Sequence, residues 1–345
     1  MTVRVVFFPL DQQLEVRERN WTEGIVREMV WLSGRMESYQ EAEEALARIG
    51  KMSISDSTLW RQVEKRGEEL RAYEEERRAK AMALPRQDEK PQLSSPGADR
   101  MGAGMDGAMV NILEEGWKEL KVGTVFEVEQ RPTLDEKTKE WFDVAHATNN
   151  SYVAHLGGAT KFGELMWAEA QVRGWEAARY QQTIGDGAKW IWNLADEHFP
   201  LSQRTVDWYH ANEHLHGVAQ FLYPDNERSR RRWSNQAESL LFQGHALTIA
   251  DAIDQKVSEN DALPAEELTR EAGYFRSNYK RMQYMEFREE GFPIGSGMVE
   301  SAAKQFKARF TGPGMRWSRD GLGRLLPVRS AVLAHSFDSL WERVF

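Results

Sequence analysis

The chain contains no cysteine. Disulfides and thiolate metal centres are therefore excluded, and carboxylates and the 8 histidines are left as the side chains able to hold an ion. Hard cations such as Mg²⁺ become the favoured metals. Also missing is any apolar run approaching the ~18 residues of a membrane span. Met1 opens directly onto Thr2-Val3-Arg4-Val5-Val6-Phe7-Phe8 and then Pro9-Leu10-Asp11, with no charged-then-apolar leader, so a soluble cytoplasmic protein without a membrane partner is expected. A basic surplus is lacking as well. The net charge of −9 counts mildly against a polyanionic partner, although its distribution decides more than its sum. From Ser301 to Phe345, Lys and Arg number eight against three Asp and Glu, so the acidic excess lies elsewhere. What the chain does have is 345 residues, 41% of them hydrophobic, with 13 Trp and 15 Phe, enough for two or three domains with real cores.

Residues 12–82 read as helix almost throughout, with apolar spacing in Ile25, Met29, Leu32 and Met36. Tyr39 to Gly50 looks like a helix closed by glycine, and a second helix follows, capped by Ser55 or Asp56 and striped by Leu59, Val63 and Leu70. That layout fits a helix-turn-helix, with Ser57, Thr58, Arg61 and Gln62 facing DNA, and equally a plain helical hairpin. From Leu84 to Gly104 the composition turns to Pro, Ser and Gly, as in a linker. Strands are then predicted at Met105–Ile112, Glu119–Val128 and Ser151–His155, a helix over Lys161–Tyr180, a strand at Gln182–Asp186, a helix at Trp190–Ala195 and a strand at Arg204–Tyr209. The order βββαβαβ is that of an RNase H-like α/β core with a mixed five-stranded sheet. Residues 211–292 return to charged helix, including Arg228 to Arg232, and read as an all-helical insertion before the last core helices at 293–345. The expected division is thus 1–83 as an N-terminal helical domain, 84–104 as linker, and 105–210 with 293–345 as the core around that insertion.

Three carboxylates fall at telling places. Asp106 lies in the first strand, Asp186 ends the fourth within Gly185-Asp186-Gly187, and Glu300 opens a late helix in Ile294-Gly295-Ser296-Gly297-Met298-Val299-Glu300. In the expected topology the first and fourth strands are neighbours, so the two aspartates converge and a glutamate from a crossing helix completes a hard-oxygen site. Two Mg²⁺ (or Mn²⁺) ions ~4 Å apart at such a site serve phosphodiester chemistry. Each residue alone has a plainer reading, since Asp-Gly is a frequent turn and a glutamate near a helix start answers the macrodipole.

Met105-Asp106-Gly107 with Trp117 to Gly123, Gly185-Asp186-Gly187-Ala188-Lys189-Trp190-Ile191-Trp192, Val206-Asp207-Trp208-Tyr209-His210, Gly295 to Glu300, and Gly314-Met315-Arg316-Trp317-Ser318 occur in fixed order. Together they resemble the ISKra-type insertion-sequence transposases, relatives of the Mutator-like group, over roughly residues 7–335. The resemblance implies an Asp, Asp, Glu metal triad at Asp106, Asp186 and Glu300. It also implies a Cys-or-Asp, two residues, His pattern matched by Asp207 and His210, with His210 orienting the scissile phosphate or a water and Asp207 competing with Asp186 for the second position. A buried hydrogen-bonded histidine is the alternative at His210. His214 and His216 follow on the same helix, a spacing open to a transition metal.

Trp317, set among Gly312, Pro313, Gly314, Arg316 and Arg319, is read either as core or as a platform for a displaced base. Lys304, Lys307 and Arg309, and Arg230 within the insertion, are expected on backbone phosphate. The implied function is metal-dependent nicking at transposon ends and strand transfer into target DNA, by a homodimer or higher assembly in the nucleoid. The abrupt start leaves open a truncated copy. The rivals are an inactive transposase-derived regulator that binds DNA without cutting, and a glycoside hydrolase using paired carboxylates without metal.

Overall fold

A computed structural model describes residues 16–17, 21–85, 98–134, 139 and 141–345; the stretches 12–15 and 18–20 of the expected helix, and 86–97 of the expected linker, lie outside them. Hydroxyl caps begin the first helices. The Thr22 hydroxyl accepts the Ile25 amide at 3.3 Å and opens α1, Glu23–Arg35. The Ser38 hydroxyl accepts the Glu41 amide at 3.0 Å and opens α2, Tyr39–Arg48, while the Glu41 carboxylate reaches back to the Glu37 amide. Lys51, with φ +54, takes the left-handed turn after α2 that Gly50 was expected to supply. A long α3, Asp56–Ala83, follows. Its Ser55 cap bonds the hydroxyls of Ser57 and Thr58 rather than a backbone amide, and Ser57 and Arg61 are exposed on its first turns.

The next element is β1, Arg100–Ile112, which begins five residues before the expected strand because Met101 and Ala103 are buried against helices. It continues through β2, Gly116–Leu134; β3, Trp141–Leu156; α4, Ala159–Val172; β4, Tyr180–Gly185; α5, Lys189–His198; and β5, Gln203–Val206. These strands form one mixed sheet in the order β3-β2-β1-β4-β5. The β1–β2 and β2–β3 pairs are antiparallel, and β4 adds in parallel to both β1 and β5. The chain is therefore mixed α/β. Strand β5 stops at Val206, three residues short of the expected end, because Asp207 already caps the next helix.

Five helices separate the sheet from the last helices: α6, Trp208–Leu222; α7, Glu227–Phe242; α8, Ala246–Glu259; α9, Ala265–Asn278; and α10, Tyr284–Glu289. The chain ends with α11, Gly297–Phe310; α12, Arg319–Leu333; and α13, Phe337–Val344. Side chains alternate across a strand, so β1 serves two cores at once. Met101, Ala103 and Met105 pack with Phe162 and Met166 of α4 and Ile191 of α5, in a cluster that runs on into Leu215, Ile249 and Phe275 of the helical segment. Ala108, Val110 and Ile112 on the opposite face pack with Phe306 and Phe310 of α11 and Leu322 and Leu325 of α12. Val26, Val30, Val63 and Leu70 of the N-terminal helices belong to that second cluster. A Cβ at Gly67 would collide with the Arg324 carbonyl of α12, which is how closely these helices lie. The N-terminal helices are thus built into the core. Among the described residues no helix is long and apolar enough to cross a membrane.

Candidate active site

Parity places the first carboxylate. Asp106 shares its face of β1 with Gly104 and Ala108, the side covered by α11. A Cβ on Gly104 would sit 3.2 Å from Val299 of α11, so glycine there lets the helix approach the strand, and Glu300 follows directly. Across the parallel ladder Met105 is partnered by Gly185, and Asp106 and Asp186 are the residues that directly follow this last pair. Neighbouring strands lie ~4.8 Å apart, so the two aspartates emerge side by side. Each has one carboxylate oxygen on a backbone amide: Gly107 donates to Asp106 at 2.7 Å, and Ala188 donates to Asp186 at 2.8 Å. Burial raises the pKa of Asp106, and the Asp186 carboxylate raises it further, against the Gly107 amide, Lys307 and His210.

The glycines flanking Asp186 answer protein neighbours. A Cβ at Gly185 would meet Ile191 at 2.8 Å, and one at Gly187, whose φ is +102, would meet the Tyr274 ring at 2.9 Å. Asp207 is 5% exposed and wholly engaged with backbone. One oxygen accepts the His210 amide at 2.6 Å, capping α6, and the other accepts the Ser296 amide just before α11. Its own amide donates to the Gly185 carbonyl at 2.7 Å. Asp207 therefore ties together α6, β4 and the entry to α11.

His210 presents its Nε2 to Nε2 of His214 at 3.3 Å, and Nδ1 of His214 meets the Glu271 carboxylate of α9 at 2.5 Å. Tyr274, also on α9, stacks on His214 with ring centroids 3.8 Å apart and donates its hydroxyl to the Asp186 carbonyl at 3.2 Å. Neither Tyr274 nor Glu271 was found from the sequence. The four-residue spacing of His210 and His214 was a signal for half of this arrangement, but their partners come from a separate helix. His216 turns away and pairs with Glu238 at 3.1 Å, so the two later histidines do not share a site.

The sequence matches no family model and no curated protein.

Glu300 shares one face of α11 with Lys304 and Lys307, at i, i+4 and i+7. It is paired with Lys304 at 2.6 Å, and among the described residues no three His, Asp or Glu side chains are gathered closely enough to hold a metal ion. Lys307 is exposed and acts electrostatically on Asp106. The other basic candidates divide. Arg61 and Arg316 are exposed, and Arg230 bonds Gln220 and the Pro224 carbonyl within the helical segment. Arg319, expected with Arg316 to bind DNA, is engaged by Glu115 through two bonds of 2.8 and 2.7 Å and by the Leu156 carbonyl. Arg309 is 1% exposed, donating to the Ser33 and Glu37 carbonyls and lying over the rings of Tyr39 and Trp317. Nor is Trp317 a free platform. Its indole N–H donates to the Phe310 carbonyl at 3.0 Å, its backbone bridges the end of β1, and its ring packs edge-on to Phe310. The displayed indole nearby is Trp117, 60% exposed on the β1–β2 hairpin.

Proposed function

We propose that the protein is a DNA transposase with an RNase H-like core that nicks transposon ends and transfers the freed strands into target DNA. The observation carrying this reading is that Asp106 on β1 and Asp186 just past the end of β4 directly follow paired residues of adjacent parallel strands, under a helix that brings Lys307. The strand order 3-2-1-4-5 with its two parallel additions, and a late helix laid across the first strand, support the RNase H-like assignment. A cysteine-free, hard-oxygen donor pair in which the Asp186 carboxylate opposes the ionisation of Asp106 suits Mg²⁺ or Mn²⁺. Asp106 and Asp186 would hold the ions, and Glu300 would join them only on leaving Lys304. When bound, such ions polarise the scissile phosphate and lower the cost of ionising an attacking hydroxyl.

The chain's own residues supply the rest. Lys307 offsets phosphate charge at the carboxylate edge, His210 takes a proton beside it, and Asp207 keeps α6 and α11 in register with β4. The first turns of α3, with Ser57 and Arg61 exposed, are the proposed reader of duplex DNA. Two ends must be joined, so a homodimer or larger assembly acts in the nucleoid. The pairing of Glu300 with Lys304 favours one second reading, a transposase-derived regulator that binds DNA without cutting it.

The deciding experiment is Mg²⁺- or Mn²⁺-dependent nicking of a duplex carrying the element's end. Asp106→Asn and Asp186→Asn are each expected to lose about a thousandfold or more, equivalent to ~4 kcal/mol of transition-state stabilisation. Nicking that survives both changes, or that needs no metal, overturns the assignment. Binding without nicking by the unaltered protein establishes the regulator.

A further inference from the structure

The contact between α6 and α9 contains more than packing requires. His210, His214 and Glu271 form an unbroken line of hydrogen-bond distances, 3.3 Å between the two Nε2 atoms and 2.5 Å from His214 Nδ1 to the carboxylate. Glu271 is 9% exposed, whereas the His210 ring lies at the open side, where Nδ1 faces Glu213 at 3.5 Å. The His214 and His210 side chains are 25% and 36% exposed, so the line runs from a buried carboxylate out to solvent.

We propose that His214 and Glu271 are positioning residues that make His210 the entry of a proton relay. The proposal rests on the transposase reading for its purpose but not for its geometry. A carboxylate only accepts, so the 2.5 Å contact requires the proton of His214 to sit on Nδ1. Only one proton fits between the two Nε2 atoms. With His214 neutral that proton belongs to His210, which leaves the Nδ1 lone pair of His210 as the acceptor.

A proton released by the attacking water or 3′-hydroxyl is taken at that Nδ1. The Nε2 proton of His210 then passes to Nε2 of His214. The positive charge comes to rest on His214, beside the Glu271 carboxylate, and His210 is left neutral with its proton on Nδ1. The reverse movement resets the pair, so no proton is created or consumed. The other charged or titratable groups facing the line are Glu213 at His210, Arg270 at 3.8 Å from Glu271, Tyr274 stacked on His214, and Asp106 through space. Tyr274 keeps the His214 ring flat and, through its bond to the Asp186 carbonyl, ties the relay to the carboxylate edge.

The test compares the wild type with Glu271→Gln, Glu271→Asp and, as a control off the line, His216→Ala, using the full chain. Ring-nitrogen NMR of the metal-free protein reads the tautomers directly. Glu271→Gln is expected to change the signals of both His210 and His214, although His210 does not touch residue 271. It is also expected to slow single-turnover nicking about 10- to 100-fold at unchanged DNA affinity and to alter its pH profile. Glu271→Asp should recover part of the rate, and His216→Ala should change nothing. His210 signals unaltered in Glu271→Gln overturn the relay, whether or not DNA is cut. Coupled ring signals in a wild type that cuts no DNA leave the hydrogen-bonded line standing but overturn the relay's purpose together with the transposase reading.

Discussion

Helix α11 carries two basic regions with opposite fates. Along its outer face Glu300, Lys304 and Lys307 are exposed, and Lys307 acts electrostatically on Asp106. At its end, Arg309 is enclosed by Tyr39 and Trp317, with its donors on main-chain carbonyls of the N-terminal helices. A half-turn of helix separates Lys307 from Arg309, enough to carry the one to solvent and the other into the core. The lesson is that a positive charge counted in sequence is a potential phosphate contact only if its donors are unspent. Guanidinium groups, with five donors in a rigid fork, are readily recruited to satisfy carbonyls, and in this corner Arg309 and Arg319 both are.

The strongest way to break the comparison is Arg309→Ala. It would leave the Ser33 and Glu37 carbonyls without a buried donor and remove the guanidinium between two rings. A loss of about 3 kcal/mol in stability is expected, measured by urea unfolding, with DNA affinity of the folded fraction unchanged. A stable variant that binds DNA weakly would place Arg309 on phosphate after all.

Much of this division could not be read from the sequence. The strand and helix order follows from periodicity, and the face of β1 on which Asp106 sits follows from parity, because both are properties of a local stretch. Partners are not local. Arg309 finds the Ser33 carbonyl 276 residues away, and Glu271 meets His214 across 57. Trp317, among glycine, proline and arginine, could be read as core or as a displayed platform, and only the structure shows that its backbone completes the end of β1 and its ring packs against Phe310. The start of β1 was missed for the converse reason. Gly102 and Gly104 read as linker, but a Cβ at Gly102 would strike the Phe126 ring and one at Gly104 would crowd Thr124 and Val299 at 3.2 Å.

A finer test separates the two kinds of basic residue by salt dependence. Lys307→Ala is expected to weaken DNA binding several-fold and to reduce the slope of log affinity against log salt by about 1, the signature of one lost phosphate contact. Arg319→Ala should leave the slope unchanged, since its guanidinium is already satisfied by Glu115 and Leu156. Equal slopes for the two variants would erase the distinction.

The smallest effect concerns the carboxylate edge itself. Burial, and then the neighbouring Asp186, raise the pKa of Asp106, so the folded protein holds that proton more tightly than the unfolded chain does. Below the unfolded value, about pH 3.9, both states are protonated and Asp106 contributes no difference. As pH climbs through the raised folded value, ionisation occurs against burial and a like charge, and stability is lost. Asp106→Asn removes the charge. In chelator at pH 7 it should therefore melt a few degrees above the wild type, and the gap should close as the pH falls toward the unfolded value. The same substitution is expected to abolish nicking, so one side chain would be unfavourable to the fold and necessary to the site. A variant less stable than wild type at neutral pH would mean that the Gly107 amide and Lys307 already outweigh the desolvation, and that the edge is not strained toward a cation.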